Sequence, residues 1–396
     1  MGCATSLAVG EDVEHTRARN LLQDYRNQKA CGLLQDGKRG DFDAAFSMGR
    51  VLGKGGFSQV RAARRRCDGE RLAVKVVTLR HGHDSAVDDL FANNGGNSRS
   101  EKEMQLEEVV GELAAWSAVN GHKHVVGFVS AMVEGNRVFM VMERCETSII
   151  HKVSNSPGFW VVESRRVMKE MLLGVQACHL VDIVHRDIKP QNYLLAADGS
   201  TVKLCDFGLA ARMPCPGQLL GLAGTIPYMS PEMLRGSGYG KATDMWSYGV
   251  MAYLLCFGAF PYTPDASSRG GMKRAIQLGH PAPRLARGGG VAALVERQLE
   301  LCPAARCTAE EALAHWYLQE EATASAAPAK AGRSPRGSAA TTAVGLEGDS
   351  ERKASRTESA LGLEQGVERI ASGTESTRSC GSTPSPLSGG DGPWSV

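Results

Sequence analysis

Eight consecutive residues, His185-Arg186-Asp187-Ile188-Lys189-Pro190-Gln191-Asn192, followed shortly by Asp206-Phe207-Gly208, gather several kinds of reactive group into one stretch. Asp187 is a carboxylate able to accept the proton of an attacking hydroxyl. Lys189, two residues on, offers a cation to the oxygens of a transferred phosphoryl group. Asn192 and Asp206 are oxygen donors of the kind Mg²⁺ takes while it bridges nucleotide phosphates. Together these groups fit phosphoryl transfer from Mg-ATP, a reaction in which the protein positions and neutralises rather than bonding covalently. The two metal ligands converge only if the chain between them folds back. Residues 193–195, Ala197-Asp198-Gly199 and residues 202–205 read as strand, turn and strand, which achieves that.

A second group lies upstream. In Leu52-Gly53-Lys54-Gly55-Gly56-Phe57-Ser58-Gln59-Val60 the glycines let a hairpin backbone approach phosphates, with Phe57 capping the turn and Val60 lying on the adenine. Ala73-Val74-Lys75 follows. Two apolar strand residues before Lys75 turn its ammonium inward, where a lone charge costs several kcal/mol. A carboxylate partner is therefore required. Glu112, on a helical face, is the first choice, with Glu107 and Glu108 as competitors about one turn earlier.

The elements that position these groups fall into two parts. Short β-like runs at 47–52, 59–63 and 71–78 suggest hairpins of a small antiparallel sheet, and 138–142 reads as another buried strand. A helix is expected over 102–119, where Met104, Val109, Leu113, Trp116 and Val119 recur near helical spacing. Longer helical patterns follow at 164–180, 243–257 and 309–318. A sheet-rich first lobe giving way to a helix-rich second one defines an α+β fold. Residues 80–101, with His81-Gly82-His83-Asp84 and an Asn/Gly run, carry no apolar period and read as a flexible insertion.

With these motifs in this order, the segment 46–318 resembles a eukaryotic-type protein kinase domain. Further matches are Gly224-Thr225-Ile226-Pro227-Tyr228-Met229-Ser230-Pro231-Glu232, Asp244-Met245-Trp246-Ser247-Tyr248-Gly249, and Arg306 ahead of Thr308-Ala309-Glu310-Glu311-Ala312-Leu313. The resemblance implies a two-lobed fold that binds ATP and Mg²⁺ between a small sheet lobe and a larger helical lobe. It implies nucleotide contacts at Leu52, Gly53, Lys54, Gly55, Gly56, Phe57, Ser58, Val60, Ala73, Lys75 and Glu112, and at a hinge near Met142-Glu143 that includes Cys145. It implies Asp187 and Lys189 as catalytic residues and Asn192 and Asp206 as metal ligands. Glu232 would pair with Arg306 to pin the activation segment, and Asp244 would brace the catalytic loop.

Lys189 and Thr225 resemble serine/threonine rather than tyrosine kinases, so the implied partners are proteins with acceptor Ser or Thr. The Gly-Gly-Phe-Ser loop and Asp244-Met245-Trp246 look most similar to the calcium- and calmodulin-regulated, calcium-dependent protein kinase-like branch. No Asp-x-Asp-x-Asp-Gly loop follows, so intrinsic EF-hand calcium binding is not expected. The sequence departs from the family at Ser58 in place of a glycine, at Cys302-Pro303, at His315-Trp316, and at Gln191 and Leu254, where acids would favour basic substrates. Arg186 is a residue that commonly receives an activation-segment phosphate in such kinases. Yet residues 209–224 contain no Ser, Thr, Tyr, Asp or Glu, which predicts activity without phosphorylation there. Cys215 in that segment reads as an inert thiol.

A formal net charge of +2 over 396 residues gives no nucleic-acid footprint. The 11 cysteines show neither Cys-x-x-Cys pairs nor clustering with histidine, against a zinc site or a disulfide framework. Residues 248–262 are too short to span a bilayer and read as a buried helix, and no cleavable secretory signal is visible. Met1-Gly2-Cys3-Ala4-Thr5-Ser6 matches the pattern for myristoylation of Gly2, with Cys3 beside it for palmitate. Two acyl chains give stable anchoring where one does not. The expectation is a lipid-anchored protein at the cytoplasmic face of a membrane, the plasma membrane by preference. Residues 1–45 would form a largely flexible acylated leader. Residues 319–396, rich in Ser, Ala, Gly and Pro, bury too little to offset their ordering entropy and are expected to be disordered.

Overall fold

The computed structural model describes residues 34–55, 58–79, 101–264, 270–279 and 289–319. The first lobe runs β1 (Leu34–Asp36), α1 (Asp41–Ala45), β2 (Phe46–Lys54), β3 (Ser58–Arg65), β4 (Arg71–Thr78), α2 (Glu101–Val119), β5 (Phe128–Glu134) and β6 (Arg137–Glu143). The second begins with β7 (Thr147–Ser148), α3 (Ile149–Asn155), α4 (Pro157–Leu180), β8 (Ile183–Val184), β9 (Tyr193–Leu195), β10 (Val202–Leu204) and β11 (Ala211–Arg212). It closes with α5 (Pro231–Arg235), α6 (Ala242–Phe257), α7 (Gly271–Leu278), α8 (Gly290–Gln298), α9 (Ala309–Leu313) and α10 (Trp316–Gln319).

Six strands form the first sheet in the order β1-β5-β6-β4-β3-β2, antiparallel except for β1 on β5. β4 lies between β3 and β6, with Lys75 opposite Val60 on one side and Met140 on the other. β6, between β5 and β4, is buried from Val138 to Met142, which accounts for its unbroken apolar run. The second lobe is organised around α6, buried from Thr243 to Leu255 and ended by Gly258 in the left-handed conformation. Among the described residues no helix is long and apolar enough to cross a membrane.

Three local differences from the sequence reading have physical reasons. The folded lobe starts before Phe46, because β1 pairs with β5 and α1 lays Phe42 on the outer face of the sheet. Phe42 stacks on Phe139 with ring centroids 4.2 Å apart, and Glu134 accepts from the Gly40 and Phe42 amides at the start of α1. The leader expected over 1–45 is thus structured from Leu34, while its acylation positions lie outside the described residues. Next, α4 begins at Pro157 rather than near 164, since proline is well suited to a first helical turn. Finally, the helix expected over 309–318 is two short ones, because His315 Nδ1 accepts from the Tyr317 amide and starts a new turn. The insertion after Leu79 and the tail after Gln319 lie outside the described residues.

Phe42→Ala removes a side chain that is 1% exposed and should destabilise the protein by about 3 kcal/mol or more. Urea denaturation of the full chain checks this, and an unchanged midpoint would show that α1 adds nothing to the lobe.

Candidate active site

The strand before the catalytic loop, β8, is held by β11, and from Val184 the chain turns sharply. Arg186 has φ 66°, a left-handed conformation that costs a non-glycine residue about 1 to 2 kcal/mol. Asp244 stabilises it. Its carboxylate is wholly buried on the first turn of α6 and accepts from the His185 amide at 2.8 Å, the Arg186 amide at 2.8 Å and His179 Nε2 at 2.9 Å. Burial opposes the charge, but these donors, His179 first, hold the carboxyl below its ordinary range.

Asp187 is then presented next to Lys189 and Asn192. Asn192 Nδ2 donates to the Asp187 carbonyl at 2.8 Å and to Oδ2 at 3.1 Å, while Lys189 Nζ lies 2.9 Å from Oδ2. The other oxygen, Oδ1, accepts from the Thr225 amide at 3.1 Å and its hydroxyl at 2.8 Å. Lys189 Nζ also donates to the Thr225 hydroxyl at 2.8 Å. Gly224, with φ 101°, precedes that threonine, and a Cβ there would collide with the Arg186 carbonyl oxygen. Thr225 resembles the residue that marks serine/threonine kinases. The structure shows it as a partner of Asp187.

Across the cleft, Lys75 Nζ meets Glu112 at 2.7 and 2.9 Å and Asp206 Oδ1 at 3.1 Å. Of the three candidate carboxylates, Glu112 is the one that α2 places on Lys75, buried to 6% exposure, whereas Glu108 is exposed. Burial alone would lower the Lys75 ammonium, but Glu112 and then Asp206 override it and raise it above its ordinary value. Asp206 is likewise penalised by burial and nevertheless held low by Lys75. One turn beyond Glu112 on the same helical face, Trp116 stacks over Phe207 at 6.0 Å and contacts Phe128 at 5.4 Å. Phe207, fully buried, meets the edge of His185 at 5.1 Å, and His185 Nε2 donates to the Cys205 carbonyl at 3.1 Å. A file of aromatic rings thus ties β5, α2, the Asp206 segment and the catalytic loop.

The remaining positions surround this centre. Leu52, Gly53, Lys54, Gly55, Ser58 and Val60 occupy the β2–β3 hairpin, where the Gly55 amide donates to the Ser58 carbonyl at 2.8 Å. Gly56 and Phe57 lie outside the described residues, as do Gly2 and Cys3. Ala73 sits beside Ala62 and Met142 in the sheet. At the hinge the Glu143 carboxylate pairs with Lys203 at 2.9 Å, so its side chain is committed to the second lobe. Burial, followed by Glu143, pushes the Cys145 thiol up to about 12. Farther away, Arg306 forks onto Glu232 at 2.8 and 3.2 Å and also donates to the Ala242 and Glu300 carbonyls. Sequence reasoning missed His179, Tyr239 and the Lys203–Glu143 pair, whose partners are remote in the chain.

A model of the protein kinase domain matches residues 46–318. The chain belongs to the protein kinase family. Over 288 residues it is 30% identical to CDPK-related kinase 7 of Arabidopsis thaliana, covering 70% of this chain and 46% of that protein. It is 29% identical over 289 residues to calcium/calmodulin-dependent serine/threonine-protein kinase 1 of Oryza sativa subsp. japonica, covering 70% and 45%. Serine/threonine-protein kinase PEPKR2 of Arabidopsis thaliana is 32% identical over 233 residues, covering 59% and 44%. The chain thus spans about half the length of the curated relatives it matches. The two-lobed kinase fold accounts for the sheet lobe, the helical lobe and the cleft between them.

Glu112→Gln leaves a buried ammonium with Asp206 as its remaining carboxylate and should cost about 3 kcal/mol of stability. Lys75, raised in the fold, contributes fully below its ordinary value and loses its contribution only as pH rises past the folded one. Asp206, depressed, contributes fully above the ordinary carboxylate range and loses this as pH falls past its folded value. Burial raises the Glu112 carboxyl itself against the pull of Lys75, so the difference between wild type and variant should change as pH rises through that raised value and be flat from there to about pH 9 in denaturation experiments. A slope inside that window would mean that the triad titrates there.

Proposed function

We propose that this protein transfers the γ-phosphoryl group of Mg-ATP to Ser or Thr hydroxyls of proteins. The observation that carries this reading is the cluster of Asp187, Lys189, Asn192 and Thr225. All four acceptor directions of the Asp187 carboxylate are filled: Oδ1 by the Thr225 amide and hydroxyl, Oδ2 by Lys189 and Asn192. An acceptor hydroxyl reaching Asp187 takes the place of the Thr225 hydroxyl, whose proton can rotate away to another partner. Asp187 then orients the nucleophile and receives its proton, while Lys189 lies beside the oxygens of the group in flight.

The metal typical of this family is Mg²⁺, and the donor set fits it. Asn192 uses its Nδ2 on Asp187, which leaves its carbonyl oxygen for a cation, and Asp206 uses Oδ1 on Lys75, which leaves Oδ2. Among the described residues no group of three His, Cys, Asp or Glu side chains is arranged to hold a metal ion. Two protein oxygens with phosphates and water completing the shell suit Mg²⁺ brought in by its nucleotide. When bound it would offset the negative charge that the attacking oxygen meets. Lys75, held by Glu112, is placed to bind nucleotide phosphates, and the β2–β3 hairpin to cover them.

Substrate choice follows the departures in the groove. Leu254 is 1% exposed within α6 and offers no carboxylate to a basic peptide. With Gln191 also uncharged, selection for arginine near the acceptor should be weak. We further propose that Gly2 myristate and Cys3 palmitate tether the protein to the cytoplasmic face of a membrane, where its substrates would be met; the observation in favour is the Met1-Gly2-Cys3 start with Ser6.

Incubating the purified full chain with Mg-ATP and a degenerate Ser/Thr peptide library should give phosphopeptides. Asp187→Asn should lower turnover by at least about a hundredfold. Equal silence of wild type and variant would overturn the kinase reading. For the tether, Gly2→Ala should move the protein from the membrane pellet to the supernatant on cell fractionation, and an unchanged pellet fraction would remove the acyl anchor.

A further inference from the structure

The Arg186 guanidinium meets two neutral oxygens. Its Nε donates to the Leu209 carbonyl at 2.5 Å and its Nη1 donates to the Tyr239 hydroxyl at 3.2 Å. Leu209 opens the activation segment. Tyr239 lies beyond that segment, between α5 and α6, and is 3% exposed with its ring packed against Met229 and Met233. Its backbone exchanges hydrogen bonds with Leu219, at 2.9 and 3.0 Å, and its hydroxyl faces the Leu220 carbonyl at 3.5 Å. The end of the segment returns to the same place, since Gly224 abuts the Arg186 carbonyl and Thr225 binds Asp187.

The start, middle and end of residues 209–224 are thus all referred to Arg186, two of them through its side chain. A phosphate would ordinarily meet an arginine so placed, but this stretch holds no residue able to carry one and no acid to imitate it. Thr225 cannot serve, because a phosphate on its hydroxyl would be forced against the Asp187 carboxylate it now binds at 2.8 Å.

We propose that Tyr239 is a positioning residue that takes the place of an activation-segment phosphate. Its hydroxyl, with the Leu209 carbonyl, occupies Arg186 and orders the segment that carries Thr225, so that Asp187 is set for transfer without modification. The inference rests on the kinase reading above and adds a residue to it.

Tyr239→Phe keeps the ring against Met229 and Met233 and removes the hydroxyl alone. With phosphatase-treated full chain and the best peptide from the library, kcat should fall about tenfold, the loss expected for one hydrogen bond to a charged group, with KM for ATP unchanged. Hydrogen exchange of residues 209–224 should quicken while that of α6 stays the same, a readout that does not depend on turnover. In an Arg186→Gln background the same substitution should add nothing, because Tyr239 acts through that arginine. Wild-type kcat and exchange in Tyr239→Phe would overturn the proposal. So would additive effects of the two substitutions, which would make the hydroxyl a general structural contact. A requirement of wild type for phosphate on the full chain would do the same. Absence of any wild-type turnover strikes instead at the kinase reading, and the exchange experiment still decides the role of Tyr239.

Discussion

A carboxylate with no exposure to water has to be surrounded by donors or it will not stay charged, and Asp244 is placed under that constraint at the heart of the second lobe. Its donors are the His179 ring and the amides of His185 and Arg186. Each hydrogen bond to a charged group is worth about 1.5 to 3 kcal/mol, whereas the left-handed turn at Arg186 costs about 1 to 2 kcal/mol. The bonds win, so the loop adopts a conformation it would not choose alone. That turn decides where Asp187 goes, and with it the positions of Thr225, Lys189 and Asn192. α6 is buried along nearly its whole length and cannot drift, which makes it a fixed reference for a loop with little regular structure of its own.

The second cluster depends on the first through His185. Its ring donates to the Cys205 carbonyl and presses its neighbour Phe207 from the side, so the backbone leading into Asp206 is located by the catalytic loop. Asp206 too is left-handed, with φ 64°. It joins Lys75 and Glu112, and Lys75 is fastened in β4 at the centre of the six-stranded sheet. The lobes are therefore joined by two unlike materials, an ion triad in which Glu112 is buried and Asp206 half exposed, and a file of rings from Phe128 to His185. The triad supplies directional contacts that fail if α2 rotates. The rings exclude water from one side of it, which strengthens its attraction.

Much of the centre was legible because its members are close in the chain and chemically distinctive. Asp187, Lys189 and Asn192 lie within six residues, and the strand, turn and strand to Asp206 follow from local turn chemistry. Pairings across the fold were harder. Glu112 competed with Glu107 and Glu108 because the insertion after Leu79 removes any count that would set the register of α2, and only packing of Trp116 and Leu113 decides which face turns inward. The strand β1 is three residues long and the helix α1 five, too short for periodicity to reveal, and Phe42 is buried by a partner, Phe139, far along the sequence. Tyr239 was silent for a similar reason: a tyrosine between two helices has no local signature of the arginine that it meets.

The activation segment shows how composition and geometry constrain one another. A segment without acids or phosphorylatable residues cannot neutralise Arg186, yet leaving that guanidinium without partners would forfeit the bonds that order the chain around it. Two neutral oxygens resolve the conflict. A carbonyl and a phenol hold the cation by charge-assisted hydrogen bonds, each weaker than an ion pair with phosphate but present from the moment the chain folds. An arrangement assembled by folding alone offers no on-off chemistry within the segment. Control is then left to what reaches the Asp187 cleft and to where the protein is held, and the acyl anchor proposed at Gly2 and Cys3 would bear on the second of these.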